Sequence, residues 1–170
     1  GCEVSISKTA TLNLALYKRL QMFVHAENAA IVTKDSIRDG DISIIVRLGK
    51  DFPLNNTDIA KQRDNNYYEY ELPLHVSKGT DQDKKNVWLI QNNIDIPLDS
   101  LLALRRFRIS NNIKPRDQIV QMPVNPDKED VVRMVGNPSL GAVKVIYIGV
   151  KNRSKNVVDG EVWVNELRVT

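Results

Sequence analysis

Apolar and polar residues alternate with a period of two in five segments: Leu20 to Ala26 (LQMFVHA), Ile42 to Leu48 (ISIIVRL), Tyr67 to Leu74 (YYEYELPL), Val143 to Val150 (VKVIYIGV) and Glu161 to Val169 (EVWVNELRV). Such alternation sends successive side chains to opposite faces of a strand, and the β-branched and aromatic residues gathered in these runs suit a pleated, half-buried surface. Weaker strands are expected in Val4 to Leu14 and near Gln118 to Met122. Arg38-Asp39-Gly40-Asp41 and Asp159-Gly160 read as turns that lead into strands. After Pro97 the period changes: Leu98, Leu101, Leu102 and Leu104 recur at helical spacing, with Asp99 and Ser100 near the start. A short helix is expected there, with its leucines packed into the core. Three polar stretches, Asp51 to Asn66, Val76 to Asn86 and Asn111 to Asp130, have the length at which loops in a compact domain tend to carry function.

The predicted class is mainly β, a sandwich with one short helix. A chain of 170 residues is long enough to bury a core as one domain, expected to span residues 1–170. Apolar residues make up 42% of it, and no run approaches the ~18 to 20 apolar residues of a membrane helix. The 24 basic and 21 acidic residues are interleaved, giving a net charge of +3 spread over a mixed surface. Nucleic-acid binding asks instead for a concentrated basic stripe with stacking aromatics. The densest basic run, Arg105-Arg106-Phe107-Arg108, is short and isolated. The one cysteine, Cys2, excludes an internal disulfide framework and a Cys-rich metal site. Gly1-Cys2 lacks the preceding apolar region of a lipoprotein signal, and Gly1 reads as a cloning remnant.

Candidate chemistry is sparse. The two histidines, His25 and His75, sit in strand-like runs among apolar neighbours, without a His-x-x-x-His spacing, and no serine occupies a Gly-x-Ser-x-Gly elbow. Gly136-Asn137-Pro138-Ser139-Leu140-Gly141 lacks the Gly-Lys-Ser/Thr ending of a phosphate loop and reads as a turn before a strand. Asp39, Asp41, Asn165 and Glu166 supply hard oxygen ligands that a structural calcium ion accepts, although none forms an EF-hand loop. Tyr68 and Tyr70 share one face of their strand while Tyr67 points to the other with Glu69 and Glu71, so one face is expected in the core and the other to be available. Tyr67 and Trp88 are the candidates for stacking on a sugar ring; Trp88, after a polar loop, and Trp163, in the last strand, each either stack on a sugar or simply fill the sandwich. The expectation is that the chain is not an enzyme and needs no cofactor. A carboxylate pair ~5 to 9 Å apart in a cleft would instead signal polysaccharide hydrolysis.

The closing run Gly160 to Arg168 (GEVWVNELR), with Val145 to Val150 and Lys151-Asn152 before it, resembles the last strands of galactose-binding-like jelly rolls. A longer ordered set of motifs is similar to the SprA/Sov family. It comprises Tyr17 to Glu27 (YKRLQMFVHAE), Ile45 to Gly49 (IVRLG), Asn66 to Leu74 (NYYEYELPL), Gly136 to Gly141 (GNPSLG), Ile148 to Asn152 (IGVKN) and Glu161 to Arg168 (EVWVNELR). That resemblance implies an internal soluble domain of a very large outer-membrane protein of Bacteroidota. The family is expected to form the translocon of the type IX secretion system and to support gliding motility. Implied partners are the rest of that chain, a plug protein, a smaller barrel that receives substrates, and the secreted cargo. A carbohydrate-binding module of a cell-surface protein is the competing expectation, resting on Trp88 and Tyr67.

Overall fold

The computed structural model describes residues 4–28, 35–51, 65–77 and 87–170, so most of the first two polar stretches lies outside the described residues. Its elements run in the order β1 (Val4–Leu12), β2 (Arg19–Glu27), β3 (Ile42–Asp51), β4 (Asn66–Pro73), β5 (Ile94–Pro97), α1 (Leu98–Ser110), β6 (Val120–Pro123), β7 (Val131–Val135), β8 (Val143–Asn152) and β9 (Glu161–Val169). The strands form two antiparallel sheets, one ordered β1-β8-β3-β4-β7-β6 and the other β5-β2-β9. The fold is the expected mainly β sandwich with one helix. All five strongly alternating segments are strands, and the two weaker ones become β1 and β6. β5 and β7 were not expected: four and five residues leave too few positions for a period to register.

One apolar core fills the space between the sheets. Leu20, Met22, Val24 and Ala26 face it from β2, Ile44, Val46 and Leu48 from β3, and Tyr68, Tyr70 and Leu72 from β4. Because each set is spaced by two, a one-residue slip in register would turn the whole set outward.

The helix closes one flank of the sandwich. Leu98, Leu101, Leu104 and Arg108 are buried and lie on one face by their three- and four-residue spacing, against β7, β6 and β5. Leu102 departs from expectation, being 37% exposed, because it falls outside that stripe. At 13 residues the helix is also longer than its leucines suggested, and it ends where Asn112 adopts φ 54° and Ile113 N–H donates to the Arg108 carbonyl at 3.0 Å.

The turns behave as their residues demand. Gly40 sits at φ 80° while Asp41 N–H donates to the Arg38 carbonyl at 3.0 Å. Gly136 sits at φ 64°, where a Cβ would collide with the Asn65 carbonyl. The two basic groups Arg105 and Arg108 are consumed by that turn: Arg105 donates to the Pro138 carbonyl, and Arg108 to the Gly136 carbonyl and to Asn137 Oδ1 at 2.9 Å. Asp130, at the end of the third polar stretch, is 2% exposed and accepts from the Tyr70 hydroxyl at 2.8 Å and from Asn125 N–H at 2.6 Å. That contact ties the stretch to β4.

Candidate functional site: two polar and aromatic sheet faces

Side chains that point away from the core gather on two surfaces of different character. On the outer face of the large sheet, cross-strand register lines up Tyr147 (β8), Arg47 (β3), Glu69 (β4), Arg133 (β7) and Gln121 (β6) in one row. Arg47 Nε donates to Glu69 Oε2 at 2.7 Å, Arg133 to Glu69 Oε1 at 2.9 Å and to Glu71 at 2.5 Å, and Arg133 Nε to Gln121 at 2.7 Å. Ser43 and Lys151 also reach Glu71, at 2.8 and 3.3 Å. The Arg47 guanidinium lies between the rings of Tyr67 and Tyr147, 5.0 and 5.2 Å from their centroids. Gly149, two residues beyond Tyr147 on the same face, leaves the space in which that ring lies flat along the strand.

The centre of this row is closed off from solvent, with Arg47 and the adjoining Tyr67 at 0% exposure and Glu69 at 1%, while Arg133 is partly exposed and Gln121 exposed. The expectation of an available face on β4 is corrected here. Tyr67 is a buried wall of an ion-pair network and presents no ring to a sugar. Burial raises the Tyr67 hydroxyl above its ordinary range, and Glu69 adds to the effect while Arg47 opposes it. Burial also pushes the Glu71 carboxyl up, but Arg133, Lys151 and Ser43 outweigh it and hold the group below the usual carboxylate range.

The outer face of the small sheet is open and aromatic. Phe23, Trp88, His25 and Trp163 make a continuous row of rings, with centroid separations of 6.5, 5.7 and 6.4 Å in that order. Trp163 is 55% exposed, Trp88 is half-buried and His25 is buried. His25 is held at both nitrogens: Nδ1 lies 2.6 Å from the Val87 carbonyl and 3.1 Å from Ser77 Oγ, and Nε2 lies 2.9 Å from Glu27 Oε2. Its role on this face is to brace the row. Trp163 Nε1 donates to Glu161 Oε2 at 3.1 Å.

A β-bulge decides what stands beside Phe23. β2 and β9 pair Phe23 with Asn165 but Gln21 with Arg168, so β9 carries one extra residue, and Glu166 takes φ 55°. Before the bulge Val162 and Val164 face inward; beyond it the parity reverses, Val169 packs inward and Arg168 turns out over Phe23, 5.4 Å from its centroid. A cleft of about 480 Å³ opens there, lined in part by Gln21, Phe23, Ile90, Asn93, Lys128 and Arg168.

The calcium candidates do not converge. Asp39 accepts from Val76 N–H at 2.7 Å and pairs with His75 at 3.2 Å, while Asp41 accepts from Arg38 N–H at 2.9 Å. Asn165 and Glu166 lie at the bulge in the other sheet. Among the described residues no group of three or more His, Cys, Asp or Glu is placed to hold a metal ion, and no helix is long and apolar enough to cross a membrane.

Sequence reasoning singled out Trp88 and Trp163, which the structure places in the aromatic row, but passed over Phe23, Arg47, Arg133 and Arg168. For Arg47 a signal existed: a lone cation in the middle of ISIIVRL, in a strand whose other face is wholly core. For Arg168 there was none, since strict alternation puts it on the wrong side.

The molecule is thus an antiparallel β-sandwich module with one face locked by buried ions and the other carrying a row of rings that ends in the exposed Trp163. Across residues 3–170 it matches the family model SprA_N, described as a motility related/secretion protein, and it belongs to that family. Comparison with curated proteins gave no match.

Proposed function

We propose that this chain is a non-catalytic scaffolding and interaction domain of an outer-membrane translocon, serving type IX protein export and gliding. The observation that carries the reading is membership of the motility and secretion family over residues 3–170. The large apolar side chains left on the surface support it: Leu16 is 78% exposed, Ile109 69% and Val157 82%. Such residues, on a sandwich whose core is already filled, are suited to burial against neighbouring parts of a channel, against a plug or receiving barrel, or against passing cargo. The buried ion row of the large sheet would keep the module rigid while it is so used.

The test is made in the full-length outer-membrane protein. Excising the 170-residue segment is expected to retain cargo inside the cell envelope and to stop gliding. A photo-crosslinker at Leu16, Ile109 or Val157 is expected to capture the barrel, the plug or cargo. Normal export and gliding after excision, with no capture from any of the three sites, would overturn the reading.

A further inference from the structure

We propose that the cleft beside Phe23 on the outer face of the small sheet binds an acidic saccharide, one that carries a uronate carboxylate. Its size falls within the roughly 300 to 1,000 Å³ of small-ligand sites, and its lining mixes apolar surface with a few polar groups, the composition such sites have.

The charge of the cleft selects an anion. Asp95, its one carboxylate, is already taken by Arg19, which donates Nε and Nη2 to its two oxygens at 2.7 Å each. Lys128 donates to two neutral groups, the carbonyls of Asn93 at 2.7 Å and Ile90 at 3.4 Å, and its charge also acts on Asp95, which Arg19 engages more strongly. Arg168 shares its charge with Glu166 at 2.8 Å in a pair that is about half exposed on both sides, a contact that water screens and a ligand can replace. Two cations therefore converge on the cleft, and a guanidinium offers a carboxylate two parallel hydrogen bonds.

The remaining groups favour a sugar over a peptide. Carbonyls of Ile90 and Asn93, which a peptide backbone would need, already accept from Lys128. The Gln21 side chain already bonds the Asp95 carboxylate, which leaves its amide oxygen, with the side-chain amide of Asn93, for hydroxyl groups. The cleft also has a row of ring surfaces running from Phe23 through Trp88 towards Trp163, against which the apolar faces of further pyranose units can lie. The ring platform that Tyr67 does not provide is provided here, on the opposite side of the sandwich.

The two tryptophans of the chain, Trp88 and Trp163, both belong to this row, so their emission reports on it without a label. The 170-residue chain is titrated with tetragalacturonate, with neutral cellotetraose and with an acidic tetrapeptide, following tryptophan emission and the side-chain amide signals of Gln21 and Asn93. Saturable binding of tetragalacturonate is expected, about tenfold or more tighter than that of either other probe. Arg168→Gln and Lys128→Gln are each expected to weaken it about tenfold, Arg168→Lys less, and Lys144→Gln, remote from the cleft, not at all. Unchanged thermal unfolding of the variants keeps a folding defect from imitating the result. Equal binding of the neutral sugar, equal or tighter binding of the peptide, or no saturable response up to about 10 mM would overturn the proposal. Failure here would leave export and crosslinking in the full-length protein as they were, because those read docking and not saccharide binding.

Discussion

Removing Glu69 is the sharpest test of the buried ion row. The carboxylate, 1% exposed, is bonded to Arg47 at 2.7 Å and Arg133 at 2.9 Å, and Arg47 is itself 0% exposed. Glu69→Ala takes a carboxylate from both arginines, of which Arg133 keeps Glu71, Gln121 and its own 16% exposure. The Tyr67 and Tyr147 rings keep their contacts with the Arg47 guanidinium in both proteins and do not replace the lost charge. Leaving a buried charge uncompensated costs about 3 to 5 kcal/mol, and because Arg47 holds other contacts besides Glu69 the expected loss is about 2 to 4 kcal/mol. For a chain of this length that corresponds to a fall in Tm of about 4 to 16 °C. Asp95→Ala breaks the Arg19 pair, whose side chains are 44% and 37% exposed, and is expected to cost less than about 1 kcal/mol. Urea and thermal unfolding followed by far-ultraviolet circular dichroism measure both. A Glu69→Ala loss no larger than that of Asp95→Ala would refute the reasoning.

Three further outcomes are expected. Gly136→Ala combines a φ of 64° with a collision against the Asn65 carbonyl and is expected to cost about 2 kcal/mol or more, whereas Gly40→Ala, at φ 80° with open space around it, costs about 1 kcal/mol; comparative melts check the order. The Glu71 carboxyl, held low in the folded chain, stabilises it above the unfolded-state value of about 4.3, and that contribution disappears as pH falls through the lower folded value. Stability measured between neutral pH and about pH 3 is therefore expected to drop, and Glu71→Gln to show a shallower acid limb than the parent. Acrylamide is expected to quench Trp163, 55% exposed, more than half-buried Trp88, which Trp88→Phe and Trp163→Phe separate into single emitters; equal quenching of the two would contradict the placement of the aromatic row.

The period-two pattern by itself determined the class of fold and which side of each long strand faces the core, because burial of one face leaves a repeating mark on the residues. Turn chemistry was equally local, since Gly40 and Gly136 answer to backbone angles that few other residues adopt. Pairing across strands was not local. Arg47, Glu69 and Arg133 are 22 and 64 residues apart in sequence, and only the register of β3, β4 and β7 brings them into one row, turning what looked like a free face on Tyr67 into a closed one. The cleft depends on tertiary structure most of all. Even-numbered residues of β9 belong inside by alternation, and a single extra residue opposite β2 reverses that parity at Arg168. Alternation is a property of one strand, but a bulge is a property of two, and so the residue that gives the open face its charge stayed hidden until the sheets were paired.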